Sequence, residues 1–155
     1  MGKRLGVMGA AIALVALAVG VVSPALGSSS DDDGHRTIRV VSITTEEEFL
    51  DLGAEGFSLG DQLVFSSNEL KDGQQVGHSG VVCSVTSLER EELQCVATTW
   101  FHGGQITAQG LVAGEPEKFV VPITGGSGKY VGAEGELHVL VVSDTREILT
   151  FHLED

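Results

Sequence analysis

Two cysteines, a set of scattered histidines and one glycine-rich block are the parts of this sequence whose residue types could carry chemistry. Cys83 and Cys95 stand twelve residues apart, with the polar stretch Ser87-Leu88-Glu89-Arg90-Glu91 midway between them. If the chain reverses about Glu89, Cys83 faces Cys95 across a hairpin, and a cross-strand disulfide is the expectation. Two buried free thiols are the alternative. A zinc site would need two further ligands and gains no support from a CxxC pair, which is absent. His78, His102, His138 and His152 show neither HxH nor HExxH spacing, so no metal is expected. His138, between Leu137 and Val139, is a candidate acid or base if it points into an interior; a hydrogen-bonded structural histidine is the other reading. Gly125-Gly126-Ser127-Gly128-Lys129 fails as a phosphate loop, because Ile123 and Tyr130 stand where that pattern needs Gly and Ser or Thr. It reads as a hairpin whose glycines supply positive φ. No GxSxG elbow exists for a serine nucleophile. Trp100, in Trp100-Phe101-His102, either lines a pocket mouth or fills the core.

The elements that must position these residues are short runs rich in Val, Ile, Thr and Phe, separated by Gly or charged turns. They fall at residues 37–44, 62–68, 75–88, 93–102, 104–112, 119–124, 136–143 and 147–153. The one helix candidate, residues 46–52, is too short to stand without tertiary support. Eight antiparallel strands with short connections can close into a barrel and remove both exposed edges; an open sandwich is the alternative. In the last run Leu149, Phe151 and Leu153 share one face, with Ile148, Thr150 and His152 on the other. In residues 137–142 only His138 breaks the apolar run, so that strand is expected to be covered on both faces, by another subunit or by a terminal segment.

The 155 residues carry 9 Lys+Arg against 22 Asp+Glu, a formal charge of −13, which argues against nucleic acid as a partner. Residues 1–27 differ from the rest. Lys3 and Arg4 precede an apolar run from Leu5 to Val22, and Ser23-Pro24-Ala25-Leu26-Gly27 closes it with small residues. This is the pattern of a signal peptide cut near Gly27, so the expectation is a secreted protein with no stable membrane anchor; a retained anchor is the competing reading. Cleavage leaves 7 basic against 22 acidic residues, a charge of −15. Residues 28–35, opening SSSDDDG, read as a disordered acidic linker, and residues 36–155 as the barrel domain.

Several blocks of the barrel domain carry a resemblance. Ser58-Leu59-Gly60-Asp61-Gln62-Leu63-Val64-Phe65-Ser66-Ser67-Asn68, then Val76-Gly77-His78-Ser79-Gly80 leading to Val81-Val82-Cys83, resemble the first half of allene oxide cyclases. Gly104-Gln105-Ile106-Thr107-Ala108-Gln109-Gly110 and the block from Ile123 to Gly135 resemble the second half, and the latter is also similar to the glycine-rich signature of dirigent proteins. The resemblance spans residues 36–153. It implies an all-β, eight-stranded antiparallel barrel with a hydrophobic lumen, frequently a homotrimer, which holds an unstable apolar intermediate while it cyclises or couples. It also implies sites. Ser42 and Thr44 stand where plant members carry a glutamate and an asparagine on the first strand. The family's water-holding asparagine falls on Ser67, or on Asn68 with a one-residue slip, and Cys83 matches a cysteine near the pocket. The candidate catalytic residues are therefore Ser67, Asn68 and His138, and the candidate ligand-binding residues Ser42, Thr44 and Trp100. No cofactor is expected. The function implied is binding of a hydrophobic small molecule, with cyclisation or stereochemistry steered by positioning; the alternative is a non-enzymatic secreted structural or interaction protein with a filled barrel.

Overall fold

The computed structural model describes residues 35–154; the expected signal peptide and the SSSDDDG stretch lie outside them. Eight strands follow in order: β1 His35–Leu50, β2 Gln62–Lys71, β3 Gln74–Ser87, β4 Glu92–Phe101, β5 Gly104–Ala113, β6 Lys118–Gly128, β7 Glu134–Ser143 and β8 Arg146–Glu154. Each pairs antiparallel with the next, and β8 returns to β1, so the sheet closes into a barrel rather than an open sandwich. Closure leaves no edge strand. The alternation read from the sequence sets which side chains face inward. On β8, Leu149, Phe151 and Leu153 are buried, whereas His152 is exposed.

Two expectations about β1 are corrected. His35 already belongs to the strand, and residues 46–50 continue it instead of starting a helix. The reason is a bulge. The register jumps from Thr44↔Ser67 to Glu46↔Ser66, so Thr45 is the extra residue, and Thr45 Oγ1 donates to the Ser66 carbonyl at 3.2 Å. Beyond it Glu46, Glu47 and Glu48 stay exposed while their backbones pair with β2. The connection to β2 is pinned by Asp61, whose fully buried carboxylate accepts the N–H groups of Leu52, Gly53 and Ser58. Burial alone would raise this carboxyl's pKa, but the N–H donors of Leu52, Ser58 and Gly53 outweigh it and hold the group below the ordinary aspartate value.

One end of the barrel is plugged. Phe101 at the end of β4 meets Phe151 edge-on at 5.6 Å between ring centroids and Tyr130 at 6.1 Å, with Ile106 and Leu153 in the same buried cluster. The glycine-rich block belongs to this end: it is the last part of β6 and leads into the turn before β7. A Cβ on Gly126 would strike the carbonyl oxygens of Tyr130 and Gln105, so only glycine permits that approach. At Gly128 the backbone takes φ +61°, which favours glycine as well.

The outer side of β7 is bare in the described single chain. Leu140 and Val142 are 43% and 52% exposed in the single chain, and Val120 on the adjacent β6 is 49% exposed.

Candidate functional site

Beyond the aromatic plug lies a cavity of about 80 Å³. Its apolar wall includes Phe65, Val81, Ala97, Val121, Leu137 and Leu149. Ala97 and Ala108, small residues at lumen-facing positions, leave the space that larger side chains would fill.

Polar groups gather on one arc of this wall because cross-strand register aligns them. Ser42 on β1 pairs with Glu69 on β2 and, on its other side, with Glu147 on β8. One level along, Thr44, Ser67, Ser79 and Thr99 form a row across β1 to β4. Ser42, Ser67, Ser79 and Thr99 are buried, and Thr44 is half-buried. Glu69, with no solvent exposure, is the hub: its Oε1 accepts from Ser79 Oγ at 2.7 Å and from Ser42 Oγ at 3.1 Å. Among the described residues its buried Oε2 has no hydrogen-bond partner. Burial pushes the Glu69 carboxyl above the ordinary glutamate range, opposed by the Ser79 and Ser42 hydroxyls and by the charge of His78. Glu147 is raised too, first by burial and then by the neighbouring charge of Glu69. Ser42, Ser79, Thr99 and Glu147 line the cavity itself.

The wall opens at one seam. β5 pairs with β6 only from Gly104↔Gly128 to Ala108↔Ile123, and the ladder stops next to Pro122, which has no N–H to donate. Past that point Gln109 and Gly110 of β5 and Phe119 and Val121 of β6 border the cavity.

The candidates named from the sequence divide by strand parity. Ser42, Thr44 and Ser67 meet on the polar arc. Asn68 lies on the alternate face and accepts from Gln75 Nε2 at 2.9 Å. Trp100 neither lines the mouth nor fills the core: it is 40% exposed on the outer face, stacked on His78 at 5.3 Å. His138 also points outward, bonded to Glu136 Oε2 at 2.9 Å and edge-on to His152, because Leu137 and Val139 take the inward positions. Cys83 and Cys95 pair in register and form a disulfide, which lies in the cavity wall. Glu69 and Glu147 were not singled out by sequence reasoning. The signal was present in parity: Glu147 shares the face of Leu149, and Glu69 that of Ser67. Among the described residues no three His, Cys, Asp or Glu side chains converge as a metal site.

Residues 37–153 match the family model described as the allene oxide cyclase barrel-like domain. The chain belongs to this family. Among solved structures, this allene oxide cyclase-like barrel is similar to one titled pyocyanin demethylase, at 29% identity and a TM-score of 0.68, over 77% of this chain and 98% of that one. A pterocarpan synthase dirigent protein shares the fold at 14% identity and a TM-score of 0.61, covering 77% and 82% of the two chains. The Diels-Alderase AbmU from Streptomyces koyangensis shares it at 13% identity and a TM-score of 0.62, covering 81% and 71%. No match is found among curated protein sequences.

Proposed function

We propose that this allene oxide cyclase-like barrel binds a small, largely apolar molecule in its lumen and steers that molecule's reaction by holding one conformer away from water. The observation that carries this reading is the cavity itself, apolar over most of its wall, with Ser42, Ser79 and Glu147 converging from one side. A site of this kind acts by positioning, with cyclisation or stereochemical control the reaction class that suits it. The similarity to structures titled as a demethylase, a dirigent protein and a Diels-Alderase supports small-molecule chemistry without naming a substrate. Mass spectrometry of the compound that co-purifies with the native protein tests the reading, with thermal shift against an apolar library as the second arm. A protein that carries nothing, and whose melting temperature no apolar compound raises, contradicts it.

A second reading, a structural or interaction protein, draws on the cavity's small volume and on the bare apolar outer face. Export is supported by the leader sequence together with the disulfide. Self-association, with a homotrimer as the expected form, is supported by the exposed Val120, Leu140 and Val142.

A further inference from the structure

The hydrogen bonds of the polar arc have a direction, and the direction selects a ligand class. A serine hydroxyl has one O–H to donate and lone pairs to accept. Ser42 and Ser79 both direct that O–H to Glu69 Oε1, so toward the cavity each presents only acceptor lone pairs. This holds in either protonation state of Glu69, because a proton on the carboxyl would sit on the free Oε2 and leave Oε1 an acceptor. Thr99 adds a hydroxyl that can donate and Glu147 a carboxyl to the same wall, and among the described residues no Lys, Arg or His lines the cavity. A carboxylate ligand would therefore meet two acceptor-only serines and the Glu147 carboxyl, with the neutral Thr99 hydroxyl to donate and no cation to neutralise it, a costly burial. A hydroxyl or an ammonium group would donate to Ser42 and Ser79, whose own hydrogens are turned to Glu69, and a ligand hydroxyl would also accept from Thr99.

We infer that the lumen selects a ligand with an apolar body and a hydrogen-bond-donating head, uncharged or cationic, and rejects carboxylates; the inference rests on the lumen-binding reading above. Glu69 is then a positioning residue, which sets the orientation of two serine hydroxyls without itself lining the cavity.

The test compares four small probes on the full chain at neutral pH, followed by NMR titration of the backbone amides: 1-propanol, propylamine, propanoate and propane, sized to a cavity of about 80 Å³. The alcohol and the amine are expected to bind at least about tenfold more tightly than propanoate. Ser79→Ala is expected to weaken the alcohol several-fold and leave propane unchanged, and Ser42→Ala provides the same comparison at the other hydroxyl. Propanoate binding as tightly as the alcohol overturns the inference and leaves the lumen-binding reading standing. Failure of all four probes removes the lumen-binding reading and the inference with it.

Discussion

Ser79 Oγ donates a 2.7 Å hydrogen bond to Oε1 of Glu69, a side chain with no solvent exposure, and so joins β3 to β2 inside the barrel. Ser42 brings β1 to the same oxygen. One carboxyl thus ties three consecutive strands at the point where the apolar lumen becomes polar. A buried polar group of this kind is tolerated when its hydrogen bonds are made, and here, among the described residues, one oxygen has two donors while the other has none.

The pH dependence of stability follows from this carboxyl and its neighbour. Glu69 and Glu147 both hold protons more tightly in the folded chain than an ordinary glutamate, whose pKa is about 4.3. Above that value and below their own raised values, the native state binds more protons than the unfolded one, so stability falls as pH rises through the window. Glu69→Gln keeps the shape, removes one of the two titrations and relieves Glu147 of the neighbouring charge. Urea unfolding from about pH 4 to about pH 7.5 is expected to show a shallower fall for the variant than for the parent. An unchanged slope would place the pH dependence elsewhere.

The disulfide closes a short loop in the cavity wall. Replacing Cys83 and Cys95 together by serine is expected to cost about 3 kcal/mol in chemical denaturation, mainly by freeing the unfolded chain. Two thiols titratable in the unreduced native protein would contradict the pairing.

Gly110 borders the cavity where the β5–β6 ladder has ended. A Cβ there would approach Val121 Cγ1 at 2.8 Å. Gly110→Val is therefore expected to lose about 1–3 kcal/mol of stability from overpacking and to weaken binding of any lumen ligand. Unaltered binding in this variant would show that the seam does not border the occupied volume.

Leu140 is an outward apolar side chain on β7, exposed to 43% in the single chain. If copies of the chain cover it, sedimentation velocity should show the parent as an oligomer and Leu140→Glu as a monomer of similar thermal stability. A monomeric parent would remove the homotrimer proposal.

Much of the barrel was legible because strand alternation and glycine punctuation are local signals. Register could even be read for the β3–β4 hairpin, where the midpoint at Glu89 puts Cys83 opposite Cys95. What escaped was tertiary. The run Glu46-Glu47-Glu48 resembles a helix start, and only the Thr45 bulge and pairing with β2 make it a strand. His138 sits in an apolar run, yet parity sends it outward, since Leu137 and Val139 fill the core. The polar arc was half legible. Ser42, Thr44 and Ser67 were named from the family resemblance, but Glu69 lies just past the expected end of its strand at residue 68, and its meeting with Ser42 and Ser79 depends on closure of the barrel.

The central claim is that the lumen is a binding site, and a small apolar probe that fits it tests this most directly. Xenon is added to the parent and to Ala108→Phe, which puts an aromatic ring into the cavity from a buried position on β5, and binding is followed by amide chemical shifts of the lining residues. The account predicts saturable shifts confined to the lumen in the parent and their loss in a variant that still melts cooperatively. Equal shifts in both proteins, or none in the parent, would contradict it.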